Sequence, residues 1–254
     1  MSEQSNSEFF TSLGKKILAA LIFGLEFSAL FLLLGNGGNI PWLPPVLVFS
    51  IIGISLAASI VLPFIWHWRE RKEKTSSQKI YGFLYSAIRY CTAFNVMAFG
   101  WKKFYGLQFI VPSEIAKNPM NQQSGEWLTW FYFGYSPAFG IIIALIQIVG
   151  GIMLLYRKTL LAGTVILFSL LLNLTLINIF YDMNAGALMQ SVLLTIGVLY
   201  LMLLDYKRLV DFFFRTKSNL PSITINNLFL KNVLRFSAVL LSLLFTIYLK
   251  KIMV

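Results

Sequence analysis

Arg89 lies within the run YSAIRYCTAFNVMAFGWKKFYGLQF, from Tyr85 to Phe109, about nine residues into an apolar stretch. A guanidinium at the centre of a membrane helix costs about 3 kcal/mol on insertion scales, so it needs a partner or a watery cavity. Glu26 is the expected partner. It lies nine residues beyond Ile17, the start of its own apolar run, as Arg89 lies nine beyond Ile80. At about 1.5 Å per residue the two side chains are level if both helices cross in the same direction. Such a pair adds little net stability, yet removing one member is strongly penalised. A second set is expected near the outer surface, where Asn178, Tyr181 and Asp182 recur at i, i+3 and i+4 and share a helix face. Lys103 follows Arg89 by 14 residues, close to four turns, and Asn173 lies one to two turns deeper than Asn178. Together with Gln147 these residues form a candidate ligand pocket, running from Lys103, Asp182, Tyr181, Asn178 and Asn173 down to Arg89 and Glu26. Two ordinary roles stand beside that reading. Asn, Gln and Tyr contacts hold membrane helices together, and a lysine near a span end snorkels to water.

The elements that position these residues follow from composition. The chain of 254 residues is 57% hydrophobic and only 12% charged, with 23 Phe, 11 Tyr and 6 Trp. A soluble domain of that size has no interior large enough to hide so much apolar surface. The fold class is therefore all-α, a polytopic transmembrane helix bundle, because only helices and closed barrels satisfy their backbone groups in hydrocarbon. Seven spans are expected: 17–34, 45–68, 80–105, 137–156, 160–180, 186–204 and 233–249. The last is short and interrupted by Arg235, so it either crosses or lies in the interface.

The net charge of +11 is arranged for orientation in a membrane and not for nucleic acid. With the N-terminus cytoplasmic, the inner side receives 14 of the 21 basic residues, five fall outside, and Arg89 and Arg235 lie within spans. The bacterial inner membrane is the expected location. The segment from Met1 to Thr11 is polar and acidic without a cleavage pattern, so no cleaved signal is expected. Loop chemistry divides the chain into an N-terminal two-helix hairpin with a charged linker (1–79), a four-helix bundle (80–205) and a basic connector with a final span (206–254). Between the third and fourth spans, residues 107–136 hold Trp127, Trp130, Phe131, Tyr132, Phe133 and Tyr135. That segment is either an interfacial helix covering the bundle or a lid over an outward-opening cavity. Gly140, Ala144, Gln147 and Gly151 share one face and form a smooth seam for close helix approach. Gln190 and Gly197 form a comparable one.

Residues 81–214 resemble the DoxX-like membrane proteins. The resemblance rests on the Arg89 helix ending in FGWKKFYGLQF, on FGYSP at Phe133 to Pro137, on IALIQIVGGIMLLYRKTLLAG, and on LLNLTLINIFYD from Leu171 to Asp182. It implies a four-helix core and kinship with membrane subunits of oxidoreductases, among them that of thiosulfate:quinone oxidoreductase. It also implies a glutamate just before the Gly-Gly pair, where this chain has Gln147. The expectation is that Glu26, from the extra hairpin, supplies the missing carboxylate to Arg89, with Gln147 as a neutral third member.

Self-contained redox chemistry is not expected. Cys91 is the only cysteine and His67, between Trp66 and Trp68 at the inner boundary, the only histidine. Neither a dithiol pair nor bis-histidine haem ligation within one chain is available. No intrinsic cofactor, metal cluster or nucleotide loop is legible. The expected function is an accessory membrane subunit that binds a quinone- or lipid-like molecule or docks a membrane or soluble redox partner. A small-molecule or lipid transporter and a structural anchor of a larger complex are the alternatives. A transporter would show broken helices or repeats, and an anchor would lack a sizeable cavity reaching Arg89.

Overall fold

A computed structural model of the chain describes residues 12–36, 40–72, 76–216 and 227–253. The N-terminal polar segment, Lys74, Lys217 and most of the SNLPSITINN connection lie outside them. Each apolar run forms a helix. They are α1 (Leu13–Leu34), α2 (Pro45–Arg71), α3 (Ser77–Phe104), then a one-turn α4 (Ser113–Ala116) and α5 (Gly125–Tyr135), followed by α6 (Pro137–Leu155), α7 (Leu160–Phe180), α8 (Ala185–Leu204), a short α9 (Tyr206–Val210) and α10 (Leu228–Met253). Six of them, α1, α2, α6, α7, α8 and α10, are long and apolar enough to cross a membrane. The chain is an integral membrane protein built as an all-α helical bundle. The third expected span, α3, is a 28-residue helix that carries Lys79, Arg89, Asn95, Lys102 and Lys103 and is less apolar than the other six.

Helix ends follow local chemistry. Pro45 and Pro137 occupy first-turn positions, where the missing N–H would have no partner in any case. Ser136 and Asn184 cap the starts of α6 and α8 by accepting from the backbone N–H groups of Phe139 and Ala187. Asp182 turns the chain between α7 and α8 at φ 50°.

The chain divides into two compact units, residues 1–210 and 211–254. In the first, α1, α3, α6, α7 and α8 form a closed ring in which each helix packs on the next, and α3 also touches α8 across the middle. Of the long helices described in this unit, α2 stands outside the ring, packed on α1. The N-terminal hairpin is thus not set apart from the four-helix core, because α1 is inserted between α3 and α8. Small residues allow this. A side chain at Gly24 would overlap Ser59 of α2, one at Gly151 would meet Met97 and the Ala93 carbonyl of α3, and one at Gly100 would meet Ile148 and the Ala144 carbonyl of α6. The expected seam on α6 is therefore the surface on which α3 lies. The core gathers Ala93 and Val96 of α3, Leu154 of α6, Leu167 and Leu171 of α7, and Leu194 and Val198 of α8. In the second unit, α10 runs for 26 residues, well beyond the apolar run expected for the last span.

Candidate functional site

Arg89 does not pair with Glu26. The Arg89 side chain is buried, and it donates to the carbonyl oxygen of Leu154 through Nε and Nη2, at 3.1 and 2.9 Å, and to that of Leu155 through Nη2 at 2.9 Å. These are carbonyls of the last turn of α6, which have no partner within their own helix. The guanidinium also sits over the Tyr85 ring, 5.3 Å from its centroid. Side chains on a helix tilt toward its N-terminus, so Arg89 reaches back along α3 to the free end of α6, where the helix dipole is negative. It is a helix cap. It lines none of five crevices found among the described residues.

Glu26 meets α3 one turn further along, at Thr92, whose hydroxyl donates to Oε2 at 2.7 Å. Oε1 has no hydrogen-bond partner, and Glu26 is fully buried. The carboxyl group occupies the notch left by Gly197 of α8, where any side chain would overlap it. The depth estimate was close. The partner was wrong, because equal depth says nothing about which way two side chains face.

The expected pocket residues are not all gathered at one cavity. A cavity of about 140 Å³ is walled by Phe99 and Lys103 of α3, Gln147 of α6, Asn178 of α7, Gln190 and Ser191 of α8, and Thr129, Trp130 and Phe133 of α5. The segment 107–136 thus supplies one wall of the cavity through α5. Its seat is Gly125, where a side chain would collide with the Tyr181 carbonyl, and it is latched by Asn184 Nδ2 donating to Glu126 Oε1 at 2.8 Å.

Of the expected site residues, Lys103, Gln147 and Asn178 come together at this cavity. Lys103 Nζ lies 5.8 and 5.7 Å from the centroids of Phe99 and Phe109, with no carboxylate within ion-pair distance among the described residues. Gln147 is 2% exposed, and its Oε1 has no hydrogen-bond partner. Asn178 is spent on packing, its Nδ2 donating to the Ala187 carbonyl and to Ser191 Oγ. Asn173 and Tyr181 line an adjoining crevice with Tyr132 and Phe139, which shares Thr129, Phe133, Leu174 and Ile177 with the cavity. Five residues separate Asn173 from Asn178, about 140° around the helix, so the two face different ways. Asp182 is exposed in the turn and lines none of the crevices.

Gln190, on its glycine seam, is expected either to pack or to turn to a ligand. It lies on the cavity wall, its Nε2 held by the Ala29 carbonyl of α1 at 2.9 Å while Oε1 is unpartnered. A second polar cluster gave little sign in the sequence. Lys16, 1% exposed, pairs with Glu70, bonds His67 Nδ1 at 3.2 Å and lies over Trp66, while Ser77 donates to Glu70 and accepts from Trp66 Nε1. Lys16 reads as one more inner-side cation and Glu70 as part of a basic linker. Their signal is only that Glu70, like Glu73, is an acid in a mostly basic boundary. Among the described residues, no group of three or more His, Cys, Asp or Glu side chains is placed to hold a metal ion.

The chain is similar to the uncharacterized protein YwoB of Bacillus subtilis (strain 168), at 28% identity over 131 residues, covering 50% of this chain and 80% of that protein. No family model matches the chain. No solved structure matches it.

Proposed function

We propose that this is a DoxX-like inner-membrane protein of seven spans, with a cytoplasmic N-terminus, that holds a small quinone- or lipid-like molecule in the outer cavity beneath α5. It acts as an accessory subunit and not as a self-sufficient enzyme. The observation that carries the reading is Gln147. Its Oε1 is buried at the cavity wall and has no hydrogen-bond partner among the described residues. A buried amide oxygen without a partner costs roughly 1–3 kcal/mol by protein mutational measures. Keeping one beside Lys103, which has no carboxylate partner in the described residues, is a stability cost that a polar ligand would offset.

Purification in mild detergent, followed by mass spectrometry of what stays bound, tests this directly. Replacing Gln147 by Leu should raise the melting temperature of the ligand-free protein while abolishing ligand retention. That is the opposing pair of effects expected where function and stability compete. A Gln147→Leu variant that loses stability would assign the amide to packing and remove the main support for a ligand site.

The anchor reading is favoured by one observation, that Arg89 caps α6 and opens onto no described cavity. Reproducible co-purification of a protein partner with an empty cavity would support it. For a transporter, the one proline inside a long helix, Pro63, leaves α2 continuous, so it supplies no helix break.

A further inference from the structure

Away from the outer cavity, α2 and α3 both rest on α1 and leave a long groove between them. The groove encloses about 660 Å³, within the range that takes up a molecule of drug size or larger. Its floor is Phe23 and Phe27 of α1, and its walls include Leu62 of α2 and Phe83 of α3. At one end stand Trp66 and Arg69 of α2. The Trp66 Nε1–H bond to Ser77 Oγ, 2.9 Å, ties α2 to α3 at this end and holds the groove to a defined width.

The charge at that end is unbalanced. The neighbouring acid, Glu70, is committed to Lys16 and Ser77, so it does not neutralise Arg69, which has no carboxylate partner among the described residues. In the sequence Arg71 and Lys72 follow directly, with Glu73 after them. An apolar trough that ends in an exposed guanidinium matches one kind of molecule in a bilayer, namely an acyl chain joined to a negatively charged headgroup.

We propose that this groove is a specific site for one anionic phospholipid, with an acyl chain between α2 and α3 over Phe23 and Phe27 and its phosphate at Arg69. The lipid belongs to the leaflet that bathes Arg69, and it fills the space between α2 and α3 beyond the Trp66–Ser77 tie. A basic side chain near a membrane surface strengthens anionic lipid binding about fivefold, as converted from the energy per residue.

The test is titration of the delipidated full chain, in detergent, with phosphatidylglycerol or phosphatidylcholine, counting bound lipid by native mass spectrometry. The wild type should take up one phosphatidylglycerol in preference to phosphatidylcholine. Arg69→Gln, an exposed change that leaves the helices intact, should weaken phosphatidylglycerol binding about fivefold and leave phosphatidylcholine unchanged. Ala58→Trp, which fills the groove, should abolish the bound lipid. Equal binding of the two lipids, or Arg69→Gln without effect, would overturn the proposal. So would a wild-type dimer that Ala58→Trp converts to a monomer, since a second copy of the chain would then occupy the groove.

Discussion

At the residue scale, intramembrane charges do structural work through the backbone as readily as through each other. Arg89 makes three charge-assisted bonds to the end of α6, and hydrogen bonds to charged groups are among the stronger ones. Arg89→Gln should therefore lower stability by about 2–4 kcal/mol, measured by thermal unfolding in detergent. A double-mutant cycle with Glu26→Gln should show coupling near zero, because the two side chains do not touch. The residue Glu26 does depend on is Gly197. Gly197→Ala should destabilise by roughly 1–3 kcal/mol through overpacking, and Glu26→Ala in the same chain should recover most of that loss. If Gly197→Ala is equally harmful with and without Glu26, the notch is not the carboxyl's seat. The Arg89–Glu26 expectation failed on direction alone. Both residues are buried, and no count of residues along an axis says which neighbour a side chain faces.

At the element scale, α5 forms one wall of the cavity beside Lys103 and Gln147. Its seat on α7 is a backbone contact at Gly125 beside Tyr181, which leaves no room for a methyl group. Gly125→Ala should shift α5, so ligand retention falls while helix content by circular dichroism stays unchanged. A variant that retains ligand as well as the wild type would show that α5 merely covers the bundle. The aromatic content of the segment placed it at the membrane surface but left its role open, since Trp130 and Phe133 suit an interfacial belt and a cavity roof equally. Residues on one helix were separable only by angle. Asn173, Asn178 and Asp182 read as one polar outer cluster in the sequence, yet they occupy a side crevice, a helix–helix contact and an exposed turn.

At the scale of the whole first unit, the ring order of helices makes the site. Inserting α1 between α3 and α8 brings the Ala29 carbonyl to Gln190 and Glu26 to Thr92 and Gly197, contacts that a four-helix core without the hairpin would lack. The proposed seven-span arrangement has a direct test through α3, which is less apolar than the six candidate spans. In a Cys91→Ser background, cysteines at Lys72 and Leu107, on either side of α3, should react with impermeant thiol reagents from opposite faces of sealed vesicles. Labelling of both from one face would mean that α3 does not cross.

The sequence by itself determined the class of molecule, the number and approximate bounds of its long helices, and the residues that cannot sit in hydrocarbon without explanation. It could do so because helix hydrogen bonds are local and the length of an apolar run is read directly against membrane thickness. The tertiary structure alone decided that Arg89 caps α6, that Glu26 rests in the Gly197 notch, and that Lys103, Gln147 and Gln190 share a cavity wall. The physical reason is that depth grows linearly along each helix, whereas the direction a side chain faces is set by how the helices are ordered around the ring and how closely their glycines let them approach.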